Sequence, residues 1–165
     1  DGVGGLEKIA ANVGDKLKAF DGKAQVVVVC GKNEKVKQAL ENRKWPDNVS
    51  VSVLGFVTNM DDYMVAADCL VTKAGPGTIA EASITGLPTM LSGFLPGQEA
   101  GNIPYVTQNG FGGFERDPAK LGETVQRWLG QPGKLVEMSE RASKVGQVHA
   151  RATKDIAREI AQLAL

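Results

Sequence analysis

Two short stretches of this sequence concentrate the residues that could do chemistry. The first is Thr72-Lys73-Ala74-Gly75-Pro76-Gly77-Thr78-Ile79-Ala80-Glu81-Ala82. It reads as the end of a strand, a turn whose glycines let backbone approach a ligand closely, and a helix starting at about Thr78. The free amides and dipole of a helix start attract anions, and a diphosphate is the natural occupant. Gly75 and Gly77 would admit the phosphates, and Thr78 would lend its hydroxyl to them or cap its own helix. Glu81 falls close to the first turn, where a carboxylate can grip two ribose hydroxyls. The same residues fit a reading without a ligand: a tight turn, then a capping box between Thr78 and Glu81.

The second stretch is Gly93-Phe94-Leu95-Pro96-Gly97-Gln98-Glu99-Ala100-Gly101-Asn102. It follows the next strand and so projects over the same edge of a sheet. Gln98, Glu99 and Asn102 offer donors and acceptors at varied angles, as recognition of sugar hydroxyls requires. Its ligand-free alternative is a solvated loop whose Asn102 caps the helix that follows.

Other chemistries lack their residues. The dinucleotide fingerprint G-x-G-x-x-G does not occur around Gly75, and Gly31-Lys32 stands where an acidic residue would meet an adenosine ribose. There is neither a phosphate-binding P-loop nor a serine nucleophile elbow. The two cysteines, Cys30 and Cys69, lie inside or beside apolar runs and read as buried free thiols, not as a disulfide or metal site. His149 is the single histidine, with no ligand cluster around it, so no metal site is predicted. It reads as a surface residue on a late helix, and no residue of the chain reads as a catalytic general base. Lysine plus arginine equals aspartate plus glutamate at 19 each, which argues against a nucleic-acid partner. No apolar run approaches the ~20 residues that span a bilayer, and no signal peptide opens the chain.

The elements that must hold these stretches alternate along the chain. Leu6, Ile9, Ala10, Val13, Leu17 and Phe20 recur at helical spacing from about Gly5 to Phe20. Gln25 to Cys30 is a continuous β-branched run, the pattern of a strand covered on both faces. Asn33 caps a helix carrying Val36, Ala39 and Leu40, and Trp45 to Asn48 turns into a strand from Val49 to Leu54. A helix starts near Thr58 to Asp62, a strand runs from Asp68 to Thr72, and a helix from Thr78 to Thr85 ends at Gly86. Pro88 to Ser92 is a strand, Ile103 to Asn109 a helix and Gly110 to Phe114 a short strand. Asp117-Pro118 opens a helix with Leu121, Val125, Trp128 and Leu129 on its buried face. Two further helices are expected, Pro132 to Val145 and Thr153 to Ala164. One domain over residues 1–165 follows, an α/β fold with a doubly wound, mostly parallel, Rossmann-like sheet.

The opening Asp1-Gly2-Val3-Gly4-Gly5 reads as a glycine-rich loop running into a helix. Such loops follow a strand, so the sequence predicts a segment cut from a longer protein. A missing first strand would leave an interior strand edge exposed and lower the solubility of the isolated chain.

Together the two motifs are specific. Lys73 to Ala82, followed by Pro96-Gly97-Gln98-Glu99-Ala100-Gly101-Asn102-Ile103-Pro104-Tyr105, resembles the plant-type monogalactosyldiacylglycerol synthases. The likeness extends through Val29-Cys30-Gly31-Lys32-Asn33 and Gly55-Phe56-Val57-Thr58-Asn59-Met60. The peptidoglycan N-acetylglucosaminyltransferase and the bacterial diacylglycerol glycosyltransferases are more distant relatives with the same plan. The resemblance implies the C-terminal, UDP-galactose-binding half of a GT-B enzyme that galactosylates diacylglycerol with inversion, without cofactor or metal. It implies that Glu81 holds the ribose, Gly77 and Thr78 the diphosphate with Gly75 in their turn, and Gln98, Glu99 and Asn102 the galactose. Phe56 and Val57 would hold the uracil, and Gly2 and Gly4 would lie beside the phosphates. The base, the diacylglycerol site and contact with membrane lipid would belong to an N-terminal acceptor domain, and the location would be the plastid envelope. Two alternatives stay open: a related transferase using UDP-glucose or UDP-N-acetylglucosamine, and a non-catalytic UDP-sugar-binding subunit that needs a partner chain.

Overall fold

The computed structural model describes residues 5–163. Helix α1 (Leu6–Lys16) runs on through a 3₁₀ turn, Leu17–Ala19, and is followed by β1 (Ala24–Val29), α2 (Glu34–Glu41) and β2 (Val49–Leu54). Next come α3 (Met60–Ala66), β3 (Leu70–Lys73), α4 (Pro76–Ile84), β4 (Thr89–Gly93) and α5 (Asn102–Gln108). The chain ends with β5 (Gly112–Phe114), α6 (Pro118–Leu129) and α7 (Pro132–Leu163). This is the alternation the periodicity predicts.

Every strand pair is parallel. Strand β1 lies against β2 with Ala24 opposite Val49 and Val29 opposite Leu54, and β4 lies between β3 and β5. Among the described residues no ladder joins the two-stranded sheet to the three-stranded one. A shared core joins them instead. Val13 and Leu17 from the α1 side and Leu121 and Val125 of α6 pack together on Val49 and Met90, one from each sheet.

Strand β4 shows why a continuous apolar run is needed here. Met90 belongs to the core under α1 and α6. Its neighbour Leu91 faces the other way, into a core with Ile79 of α4, Val106 of α5, Phe111 and Ala142 of α7. Successive strand residues point to opposite faces, so a strand covered on both sides must be apolar at each position. Helices therefore clothe both faces, as in a doubly wound fold.

Local chemistry sets the helix boundaries. The side chain of Asn33 accepts from the Val36 amide at 3.1 Å, and Asp117 accepts from the amides of Ala119 and Lys120 at 2.9 Å. Gly86 closes α4 at φ 69°, a conformation that costs a glycine nothing.

Two boundaries differ from those expected. Helix α4 begins at Pro76, not Thr78, because proline is pre-set for the first helical position. The expected pair of helices after Pro132 is one helix of 32 residues. Gly146, the residue after the expected helix end at Val145, lies inside it because α7 crosses α4 there. A Cβ at Gly146 would collide with the carbonyl of Ser83. His149 is also not a plain surface residue. It is half-buried, with its Nε2 2.7 Å from the hydroxyl of Tyr105.

Candidate functional site

Within the three-stranded sheet the strand ends share one edge, and the two candidate stretches leave the sheet there. Strand β3 ends at Lys73, yet the Ala74 amide still donates to the Gly93 carbonyl at 2.8 Å. The Gly75 amide then folds back onto the Lys73 carbonyl at 2.8 Å, and Gly75 becomes the residue ahead of α4. Pro76 has no N–H, and the first amide taken up is that of Ile79, by the Gly75 carbonyl at 3.0 Å. The amides of Gly77 and Thr78 have no hydrogen-bond partner among the described residues. They are the orphan donors of a helix start, free for an anion.

Strand β4 leads into the second stretch. Leu95-Pro96-Gly97-Gln98 is a tight turn: the Gln98 amide donates to the Leu95 carbonyl at 3.2 Å, and Gly97 has φ 82°. Proline followed by a left-handed glycine is the composition such a turn demands. The carboxylate of Glu99 closes the loop from within. Its Oε2 accepts from the Leu95 amide at 2.7 Å, and its Oε1 accepts from the Lys73 ammonium at 2.6 Å. One residue group further on, the Asn102 amide nitrogen donates to the Ala74 carbonyl at 2.8 Å. Two side chains of the second stretch thus fasten it to the first.

The electrostatics of this join are lopsided. The Glu99 side chain is 8% exposed, whereas that of Lys73 is 58% exposed. The Lys73 bond, and after it the Leu95 amide, hold the Glu99 carboxyl below the ordinary 4.5, so it is ionised.

The predicted residues divide as follows. Gly75, Glu99 and Asn102 meet in this join, and Gly77 and Thr78 follow in the first turn of α4. Because α4 starts at Pro76, Thr78 is its third residue and forms no capping box with Glu81. Asn102 is the first residue of α5 and does not cap it. Glu81 lies further along α4 and Gln98 on the loop, both exposed. Phe56, 71% exposed, and Val57 follow β2 in the other sheet. Gly2 and Gly4 lie outside the described residues.

Sequence reasoning did not single out Lys73 within its motif, because only the fold brings Glu99 to it. Nor did it find the aromatic group at the same edge. Phe94 and Phe114, at the ends of neighbouring strands, have ring centroids 6.0 Å apart, and the Arg116 guanidinium lies 4.4 Å from the Phe94 ring. An aromatic at the end of each of two parallel strands was the available signal.

Other features lie elsewhere. A groove of about 640 Å³, lined by Tyr105, Asn109, Arg141, Lys144 and Val148 among others, runs between α7 and the end of α5 remote from Asn102. Among the described residues no cluster of three or more potential metal ligands occurs, and no helix is long and apolar enough to cross a membrane. Cys30 is buried and Cys69 partly so, both free, and burial pushes the Cys69 thiol up to about 12.

The fold recurs in solved structures. MurG of Acinetobacter baumannii superposes with a TM-score of 0.69 at 21% identity, over 86% of this chain and 42% of that one. SnogD, a glycosyltransferase from Streptomyces nogalater, gives 0.61 at 21% identity, over 86% and 35%. The architecture is that of one half of a GT-B glycosyltransferase. Residues 3–100 match the glycosyltransferase family 28 C-terminal domain, and the chain belongs to that family. It is 43% identical to the probable monogalactosyldiacylglycerol synthase 3, chloroplastic, of Oryza sativa subsp. japonica, over 99% of this chain and 32% of that protein. It is 42% identical to monogalactosyldiacylglycerol synthase 1, chloroplastic, of Arabidopsis thaliana, over 91% of this chain and 28% of that protein. The chain thus spans about a third of the length of these curated relatives.

Proposed function

We propose that this chain is the UDP-galactose-binding domain of an inverting galactosyltransferase that makes monogalactosyldiacylglycerol from diacylglycerol. Family membership and the names of the relatives support the reaction class. The observation that carries the donor role is local. Two unpartnered amides, of Gly77 and Thr78, open α4 beside a polar loop fastened at its base by Glu99 and Asn102.

In this reading the amides and the Thr78 hydroxyl take the diphosphate, with Gly75 permitting the close turn. Glu81 holds the ribose, and Phe56 and Val57 the uracil. The loop bearing Gln98 and Glu99, with Asn102 at the start of α5, faces the galactose, and Gly2 and Gly4 are assigned to the phosphate side. The diacylglycerol hydroxyl attacks the anomeric carbon as the bond to the diphosphate oxygen breaks. UDP leaves with the bonding electron pair, and the hydroxyl proton passes to a base outside this chain. Donors already aimed at the diphosphate stabilise the charge that develops there.

The base and the diacylglycerol site belong, in this proposal, to an acceptor domain of the same protein, which also meets membrane lipid at the plastid envelope. Exposed Val148, Ile156 and Ile160 on the far half of α7 fit a surface that such a domain would cover. The chain alone is then expected to bind donor without transferring sugar.

Titration with UDP, UDP-galactose, UDP-glucose and NADH, beside the Glu81→Ala variant, tests the reading. Uridine compounds should bind, and the variant should lose them. Binding of NADH alone overturns the proposal, and a preference for UDP-glucose reassigns the sugar.

A further inference from the structure

We propose that Lys73 supplies the positive charge that meets the donor diphosphate, and that Glu99 is the residue that positions it. This rests on the donor-domain reading above and assigns a contact that reading leaves open.

The Lys73–Glu99 pair is asymmetric in its burial. An ion pair between two exposed side chains contributes little and needs no further role. Here the carboxylate is buried and the ammonium is not. A buried carboxylate must be compensated, which explains why Glu99 holds a cation. It does not explain why that cation faces outward. An ammonium has three N–H donors, and the bond to Glu99 Oε1 uses one of them. Two donors remain, on an ammonium whose side chain is 58% exposed.

The place matters as much as the charge. A Cβ built on Gly75 would lie 3.7 Å from both the Lys73 Nζ and the Glu99 Oε1. The pair therefore stands against Gly75, the residue that precedes α4, whose first turn carries the amides of Gly77 and Thr78. An anion held by that turn would have the Glu99 carboxylate on the side of Gly75, and like charges at close range repel. Lys73 cancels that repulsion and adds an attraction of its own. Removing it would leave an uncompensated carboxylate beside the phosphates. Glu99, with both oxygens engaged by Lys73 and Leu95, acts through the lysine and through the shape of its loop.

Calorimetric titration of the wild type and variants with uridine, UMP and UDP tests the assignment, with thermal unfolding to check the fold. Lys73→Met should weaken UDP by about tenfold or more, the loss expected of a charge-assisted bond. The loss should be smaller for UMP and near nothing for uridine, and Lys73→Arg should retain most of the affinity. Adding Glu99→Gln to Lys73→Met should recover part of the UDP loss, because it removes the unpaired carboxylate. Should Lys73→Met not fold, Lys73→Gln, which keeps a donor for Glu99, takes its place. Unchanged affinity, or an equal loss for all three ligands, overturns the role of Lys73 while leaving the donor domain intact. A double variant no better than the single one overturns the part given to Glu99. A folded wild type that binds none of the three compounds overturns the donor-domain reading, and this proposal with it.

Discussion

The Glu99 carboxylate joins two segments that lie 26 residues apart from Lys73 to Glu99, and its ionisation is built into the join. Because the folded protein favours the ionised form, the direction of its pH response follows. The stabilisation is fully present above the ordinary carboxyl value of 4.5 and is lost as pH falls through the lower folded value. Glu123, held below the same value by Lys16, contributes with the same sign at the surface. Acidification below pH 4.5 should therefore loosen the loop, read as faster hydrogen exchange at the Leu95 amide than at the amides of α6. Protection of Leu95 that persists through that range would show the bond to be inessential. The thiols make a second case. With Cys69 pushed up to about 12 and Cys30 also raised, neither is a thiolate at neutral pH. Alkylation of both should wait on unfolding and accelerate in denaturant.

Among the elements, α6 and α7 show where periodicity suffices and where it fails. Asp117-Pro118 announces the start of α6, and the cap is present as expected. Asp117→Ala should cost about 1 kcal/mol in denaturant unfolding, since two amides lose their acceptor. Gly146 is the opposite case. A glycine in a helical pattern reads as a stop, but here it marks the crossing of α7 over α4. Gly146→Ala would raise helix propensity in isolation, yet it drives a methyl into the Ser83 carbonyl. The variant should lose about 1–3 kcal/mol, the usual cost of overpacking, in the same measurement. A stabilised variant would mean that the two helices can separate without penalty.

The two sheets behave as one molecule because a single core spans them. Leu121, fully buried on α6, contacts the cluster that includes Val49 of one sheet and Met90 of the other. Leu121→Ala should cost about 2–5 kcal/mol. The loss should shift the unfolding midpoints of both sheets together, in one transition seen alike by near-ultraviolet circular dichroism and exchange at β1 and β4 amides. Two separate transitions would instead mean that each sheet has its own stability.

The order of strands and helices, their parallel pairing and the two stretches at the strand ends were all legible in the sequence. Each is dictated by neighbours in the chain, through periodicity, caps and turn residues. The candidate stretches were legible as motifs: Gly75, Gly77, Thr78 and the loop from Phe94 to Asn102 stand where strands β3 and β4 end. What escaped were relations between residues distant in sequence. Thr78 and Glu81 satisfy the spacing of a capping box, but Pro76 takes the helix start. Asn102 has the type of a cap, but its amide finds the Ala74 carbonyl across the loop. Lys73 carries no signal until Glu99 is folded against it. Local sequence governs backbone conformation, because the energies involved act within a turn or two. Which side chains are buried, and which charges must then be paired, depends on packing between segments far apart along the chain.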